Sequence, residues 1–479
     1  LSICSVALLL GSCQADLLET KPYGNVAAGN MWTSENFADK GVTAIYSTLR
    51  KSYVGLGLYQ MDCLGVSTDC RDADYPIMRN TITTSNGMFS SYWSEHYSGI
   101  SRANDAIVHL PEVDMPENKK ARYMAEAKVL RAYFYYKLNI MYKGVPVYLE
   151  PVEASECTKG QETEAAVWQV IEDDLTAAIN EPNLPNIYTE GSSDYGRVTK
   201  GLAYALRGKA YLYQKEYAKA AADFEAVSQC GFGLFEGDYK QLFKEANEQS
   251  KEMIFSVQCI GLDGLGNDIS FRYGTRSSFG SCWNTYLVNA DFVETYENAD
   301  GSKFNWNDYI PGYNEMEPAA RAVFFLRDGL TDAEKEAMKT AGADMSKYLP
   351  EGNEARIKAA YANRDPRLTA SIITPYSTYD GANGSNEYTY TLRWPFRAGD
   401  VSEPFDLKTD TNNRFYYLYR KFVAEGASEI PNRSYSPIDV PLIRYADILL
   451  NLAECYNELN QEDKAIALSL IHISEPTRH

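Results

Sequence analysis

The sequence AEAKVLRAYFYYKLNIMYKGVPV, residues 125–147, carries a strong helical signal. Its apolar side chains recur at intervals of three and four residues, at Ala127, Leu130, Phe134, Leu138 and Met141. This spacing predicts one apolar stripe along a long helix, and Arg131 begins a second face that also contacts neighbours. The helix is predicted to end at Lys143, because Gly144 accepts the left-handed conformation and Pro146 cannot continue a helix.

A repeated pattern indicates how such helices are arranged. Residues 199–229 match the small and aromatic positions of the tetratricopeptide repeat, a helix–turn–helix unit of about 34 residues, at Gly208, Tyr211, Tyr217, Ala220 and Phe224. A weaker copy occurs at 442–466. The helices predicted at 93–110 and 119–143 form a third pair, and a helix at 166–180 belongs to another. Such pairs cannot bury their apolar faces alone, so we expect them to stack.

The region between the two copies has a different composition. Residues 236–438 are rich in glycine, asparagine and tyrosine, and EMIFSVQ at 252–258 predicts one of a few short strands. Long ordered loops of this kind are usually functional. The predicted organisation is a helical region at 31–235, this irregular lobe, a truncated last helix pair at 439–468, and a non-native tail at 469–479.

Charge and composition exclude several kinds of function. The 46 basic and 65 acidic residues give a net charge of −19, which argues against binding to nucleic acid. The nine cysteines form no CxxC motif, and the four histidines form no HExxH motif. These patterns argue against a zinc site and weaken any Ser–His or Cys–His mechanism, so no metal and no cofactor are predicted. The 37 tyrosines suit both helix packing and the binding of flat polar ligands.

The N-terminus predicts export. Residues 1–12 form an apolar run that fits an incomplete signal peptide and is shorter than a bilayer-spanning helix. The run ends in Leu10-Gly11-Ser12-Cys13, which resembles a bacterial lipobox, so Cys13 is the predicted lipidation site. Residues 13–30 are then a lipid-anchored tether.

An ordered set of motifs resembles the SusD/RagB family of outer-membrane nutrient-binding lipoproteins of Bacteroidetes. Besides the lipobox, the motifs are LLETKPYG (17–24), LRAYFYYKLNIMYKGVPV (130–147), EMIFSVQ (252–258), NADFVETYENADG (289–301), NRDPRL (363–368) and PLIRYADILLNLAECYNE (441–458). They follow one another in family order through most of the chain. Lys143 departs from the family pattern, which has glycine there.

The resemblance implies a fold and a function. The implied fold is mostly α, a right-handed bundle of about four tetratricopeptide-like helix pairs with a large irregular, loop-rich second lobe containing short strands. The implied function is non-catalytic binding of an oligosaccharide or polysaccharide nutrient at the cell surface. The implied partners are the outer membrane, through the lipid anchor, and a SusC-like TonB-dependent transporter.

Two stretches combine the residue types that sugar binding needs. Aromatic rings stack on the apolar faces of pyranoses, and charged side chains bond to the hydroxyl groups. The candidate glycan-binding residues are Asp69, Arg71, Asp72 and Tyr75 in the first stretch, and Trp283, Tyr286, Trp306 and Tyr309 in the second.

Two other functions remain as alternatives. A repeat scaffold could bind peptides in its concave face, although Cys13 and the long insertion argue against it. A glycoside hydrolase would need a pair of catalytic carboxylates, and no recognisable motif marks such a pair.

Overall fold

The computed structural model describes residues 31–71, 76, 78–397, 404–409, 415–426 and 433–474. The predicted signal peptide, the lipidation site Cys13 and the tether lie outside these residues. So do the candidate residues Asp72 and Tyr75. Helices predominate and the strands are short, which confirms the predicted mostly-α class.

The first half of the chain folds into a row of helices, each packed on the next. They are α1 (Glu35–Ser47), α2 (Gly87–His109), α3 (Glu117–Tyr142), α4 (Glu164–Ile179), α5 (Lys200–Tyr213) and α6 (Tyr217–Gln229). Glycines set the distance between helices that pack on each other. A Cβ atom on Gly208 of α5 would lie 2.6 Å from the Phe224 ring of α6, and one on Gly99 of α2 would lie 2.4 Å from the Phe134 ring of α3. The predicted helix pairing is therefore confirmed at α5–α6.

Helix α3 lies in the middle of this row and is buried on more than one side, as Arg131 and Phe134 show. It ends at Tyr142, one residue before the predicted end. Lys143 itself takes the left-handed conformation (φ 52°), and Gly144 follows with φ 107°. Glycine is needed at the second position, because a Cβ atom on Gly144 would lie 2.2 Å from the carbonyl oxygen of Glu162.

The second lobe combines short helices with two- and three-stranded sheets. Its helices are α7 (Ile269–Tyr273), α8 (Ala290–Glu294), α9 (Pro318–Ala322), α10 (Asp332–Thr340), α11 (Asn353–Tyr361) and α12 (Pro366–Ser371). In chain order the strands of the molecule are β1 (Thr68–Cys70), β2 (Met253–Val257), β3 (Tyr286–Val288), β4 (Ile372–Ile373), β5 (Thr378–Asn383), β6 (Asn386–Thr391), β7 (Phe405–Asp406), β8 (Leu418–Tyr419) and β9 (Val440–Arg444). The pairs β1–β3, β2–β9 and β4–β8 are antiparallel, and the three-stranded sheet has the order β5–β6–β7. The strand predicted from EMIFSVQ is confirmed as β2.

The chain returns from the lobe to the helical row through β9. This strand continues directly into α13 (Tyr445–Glu458), which packs on α6 and on α14 (Glu462–Ser474). Helix α14 continues to Ser474, six residues into the segment predicted to be a non-native tail. The second helix pair predicted from the repeat is thereby confirmed, and the lobe is an insertion between α6 and α13.

Candidate functional site

The pairing of β1 with β3 brings the two predicted binding stretches together. Asp69 lies opposite Leu287 and Cys70 opposite Tyr286 in the antiparallel register. Beyond the strands, the backbone N–H of Arg71 donates to the carbonyl oxygen of Thr285 at 2.8 Å. The Arg71 side chain also donates through Nη1 to the carbonyl oxygen of Trp283 at 2.6 Å. Residues separated by more than two hundred positions therefore form one surface.

A cleft of about 570 Å³ opens beside these paired strands. Mostly polar, aromatic and glycine residues from five segments line it: Arg50, Ser52, Leu56, Gly57, Tyr59, Gln60, Cys70, Gly264, Gly266, Asn267, Asp268, Arg272, Thr285, Tyr286, Ser434 and Tyr435. Of the candidate residues, Tyr286 lies in this lining. The cleft therefore lies between the loop that follows α1 and the beginning of the second lobe.

An ion pair and a tyrosine hydroxyl organise the polar part of the cleft. Asp268 and Arg272 are one helical turn apart, and Arg272 Nε donates to Asp268 Oδ2 at 3.0 Å. The Tyr59 hydroxyl donates to Asp268 Oδ1 at 2.9 Å. Burial, together with the neighbouring Asp268 carboxylate, raises the pKa of Tyr59 far above its usual value, so the hydroxyl remains a donor. A carboxylate has about four acceptor positions, so Asp268 keeps capacity for a ligand hydroxyl.

The aromatic residues near the cleft differ in what they expose. Trp283 is 38% exposed, and its ring centroid lies 4.7 Å from that of Phe271 and 5.9 Å from the Arg272 guanidinium. It therefore offers ring surface at the rim of the cleft. Tyr286 is only 7% exposed and packs edge-on against Tyr59 at 5.4 Å between centroids. Tyr286 thus forms part of the wall and offers little surface for stacking.

Trp306 requires a correction. It is 2% exposed, its indole N–H donates to Glu294 at 2.8 Å, and it stacks on Tyr313 in the apolar core of the second lobe. No face of its ring is available to a ligand, so the prediction that Trp306 contacts glycan is wrong. Tyr309 is half-buried against the same core, where it stacks on Phe304.

The structure adds cleft residues that the sequence reasoning missed. Tyr59 lines the cleft but lies outside both stretches that supplied the candidate residues. Asp268 and Arg272 show an i, i+4 acid–base spacing, which could have marked them. Arg50 follows α1 directly, and nothing in its sequence context distinguishes it from a surface arginine.

The described residues contain neither a cluster of metal-binding side chains nor a helix that could cross a membrane. No group of three or more His, Cys, Asp or Glu side chains in the described ranges could hold a metal ion. None of the helices within those ranges has the length and hydropathy that crossing a bilayer requires.

Comparison with known proteins identifies the family. The model of the SusD family matches residues 251–472. A second model, described as "Starch-binding associating with outer membrane", matches residues 18–212. The chain belongs to the SusD/RagB family. The resemblance seen in its motifs is thereby confirmed.

Individual SusD-like proteins are distant relatives. The chain is 24% identical over 336 residues to a SusD-like protein of Bacteroides ovatus. This alignment covers 65% of this chain and 60% of that protein. A SusD-like protein from Bacteroides fragilis has a TM-score of 0.69 at 19% identity, covering 93% of this chain and 79% of the other. A structure named "Laminarin binding SusD-like protein" has a TM-score of 0.62 at 22% identity, with coverages of 92% and 85%. These structural likenesses confirm the fold.

Proposed function

We propose that this SusD-family protein is a non-catalytic glycan-binding lipoprotein of the outer membrane. It binds an oligosaccharide or polysaccharide nutrient and delivers it to a SusC-like TonB-dependent transporter. The laminarin-binding relative supports the ligand class, and the family description that mentions association with the outer membrane supports the location.

One arrangement carries the glycan-binding proposal. The exposed Trp283 ring lies beside Arg272, and Arg272 pairs with Asp268 inside the cleft. A pyranose packs its apolar C–H face on an aromatic ring, and its hydroxyl groups need directional acceptors and donors. The rim ring and the ion pair supply both within one site.

The same cleft offers little to a hydrolase. Glycoside hydrolysis uses two carboxyl groups on either side of the scissile bond. Among the described residues, Asp268 is the carboxylate that lines the cleft, and Tyr59 and Arg272 already bond to it. A single engaged carboxylate cannot act as both acid and nucleophile, which supports a binding role without catalysis.

Affinity electrophoresis on a panel of polysaccharides tests this proposal directly. We expect the protein to be retarded by at least one polysaccharide, with no increase in reducing ends during the incubation. New reducing ends would support the hydrolase alternative. Retention by peptides but by no glycan would instead support the peptide-binding scaffold.

The membrane anchor is proposed to be a lipid on Cys13. We expect Cys13→Ala, expressed in full length, to move the protein from the membrane fraction to the soluble periplasmic fraction. A variant that stays in the membrane fraction would contradict the anchor. A serine substitution at the exposed Cys157 removes a different thiol and serves as the control.

The helical row is proposed to face the transporter. A groove of about 820 Å³ lies among α3, α5, α13 and β9, and Tyr213 at its edge is 54% exposed. An exposed aromatic side chain beside a groove suits contact with a partner protein. We expect a TonB-dependent transporter to co-purify from membranes with tagged protein. Recovery of glycan-binding protein without any transporter would contradict this part of the proposal.

A further inference from the structure

The cleft differs in charge from the protein as a whole. The chain carries a net charge of −19, yet the charged side chains lining the cleft are Arg50, Asp268 and Arg272. Asp268 and Arg272 neutralise each other as an ion pair. Counting the described residues alone, the charge of Arg50 therefore leaves the lining with a net charge of +1.

Backbone carbonyl groups, not carboxylates, hold the Arg50 guanidinium. Nη1 donates to the carbonyl oxygen of Gln258 at 2.8 Å, and Nη2 donates to those of Gly264 and Gly266 at 3.1 and 3.0 Å. Carbonyl groups orient the guanidinium but leave its full charge in place. These bonds use three of the five N–H groups of the arginine, and the Cys259 side chain also bonds to it, so its charge is oriented but not neutralised.

A second arginine at the rim is held in the same way. Arg433 Nη1 donates to the carbonyl oxygens of Gly280 and Ser281 at 2.9 and 3.0 Å. Its guanidinium lies 4.9 Å above the Phe271 ring, which in turn packs on Trp283. In the described part of the chain, no carboxylate lies within ion-pair distance of either Arg50 or Arg433.

We propose that the cleft binds an anionic oligosaccharide, one that carries carboxylate or sulfate groups. The inference rests on the proposed glycan-binding function and adds the class of sugar. An arginine guanidinium keeps its positive charge and donates charge-assisted hydrogen bonds to carboxylate and sulfate oxygens. Arg50 and Arg433 bind the acidic groups, while Trp283 packs on a sugar ring and Asp268 accepts from a hydroxyl group.

The same contacts have a simpler explanation. Arg50 could act only as a clamp that holds the loop containing Gly264 and Gly266. A clamp needs no anionic ligand and makes sugar binding insensitive to salt. The two explanations therefore predict different results when the charge of the ligand, the salt concentration or the charge of the cleft is changed.

The first experiment compares ligands of different charge by titration calorimetry. The panel contains oligosaccharides from polygalacturonate (carboxylate), from carrageenan (sulfate) and from laminarin and xyloglucan (neutral). We expect at least one anionic series to bind about tenfold or more tightly than the neutral ones, since hydrogen bonds to charged groups are the stronger ones. Raising the salt from about 50 to about 300 mM should weaken that binding severalfold, because the screening length shortens.

Each outcome has a separate meaning. Binding of neutral sugars alone, or equal and salt-independent binding of both classes, would overturn the anionic inference and leave glycan binding intact. Binding of no member of either class would count against the proposed function itself. A preference between the polygalacturonate and carrageenan series distinguishes carboxylate from sulfate as the recognised group.

The second experiment changes the charge of the cleft without removing either arginine. Gln60 lines the cleft, is half-buried, makes a long hydrogen bond of 3.4 Å to Ser52 and bonds to the Tyr59 side chain. Gln60→Glu is nearly isosteric, and we expect it to weaken anionic binding about fivefold. Gln169→Glu on the exposed side of α4 changes the net charge equally and should leave the affinity unchanged. Equal affinities for the Gln60 variant and wild type would overturn the inference.

Discussion

The Arg131 guanidinium and the Asp174 carboxylate form a bidentate ion pair that joins α3 to α4. Arg131 Nε lies 2.7 Å from Asp174 Oδ2, and Nη2 lies 2.8 Å from Oδ1. The remaining nitrogen, Nη1, donates to Asn104 of α2 and to the carbonyl oxygen of Leu149. Asp174 is 5% exposed. One buried arginine therefore holds three helices and the segment after α3 in register.

We expect Asp174→Ala to lower the free energy of unfolding by about 3–5 kcal/mol, because it leaves the Arg131 charge buried without its partner. Chemical denaturation measures the change. Asp173→Ala is the matched control, since Asp173 is the exposed neighbour on the same helix and surface changes are usually within about 0.5 kcal/mol. Equal stabilities of the two variants would contradict the role assigned to this ion pair.

This ion pair also shows where sequence reasoning succeeds and where it fails. The period of apolar residues placed α3, and the glycine and aromatic positions of the repeat placed α5 on α6, because both signals are local. An acidic run such as Glu172 to Asp174 on a helix is ordinarily interpreted as a solvated face. That interpretation is wrong for Asp174, since its burial depends on an arginine 43 residues away, which no local pattern reveals.

Sequence reasoning also succeeded for one part of the candidate site and failed for another. The composition of the loops marked Trp283 and Arg71, and the structure brings these two residues into contact; their binding of glycan stays a prediction. The same criterion failed for Trp306, because an irregular lobe must still bury apolar surface and its largest rings fill its core. Loop-like sequence indicates the absence of regular structure and does not indicate exposure.

We expect Trp283→Ala to weaken glycan binding about tenfold, or roughly 1.4 kcal/mol, because the ring offers stacking surface at the rim of the cleft. Thermal stability should change little, since the side chain is 38% exposed. Titration with the best ligand of the glycan panel measures the affinity. Tyr213→Ala removes an exposed aromatic ring from the helical side and should retain wild-type affinity. Unchanged affinity of the Trp283 variant would remove this residue from the site.

Trp306→Ala should have the opposite effects to Trp283→Ala, with lower stability and unchanged glycan affinity. We expect it to cost about 3–5 kcal/mol of stability, the usual effect of truncating a buried tryptophan. It also leaves Glu294 without its indole donor. Glycan affinity, measured at a temperature at which the variant remains folded, should equal that of wild type. A stable variant with weakened glycan binding would restore Trp306 as a ligand contact.

The carboxyl groups of Glu248 and Asp439 lie where the lobe returns to the helical row. Asp439 Oδ1 accepts from the backbone N–H of Cys259 at 2.6 Å, and Glu248 Oε2 accepts from the backbone N–H of Asp439 at 3.1 Å. Burial, together with the repulsion from Glu248, raises the pKa of Asp439 to about 8. Burial raises the pKa of Glu248 to about 7, and nearby Glu245 adds to the effect.

Both pKa values lie above those of the unfolded chain, so the folded protein retains protons that the unfolded chain releases. The stability from these groups is therefore complete below about pH 4 and is lost as the pH rises to about 8. We expect Glu248→Gln to flatten this decline, because one charge disappears and its amide oxygen can still accept from Asp439. Urea denaturation at pH values from about 5 to about 8 measures the free energy of unfolding. Glu351→Gln at an exposed position should keep the wild-type slope, and an equal slope in the Glu248 variant would contradict the proton linkage.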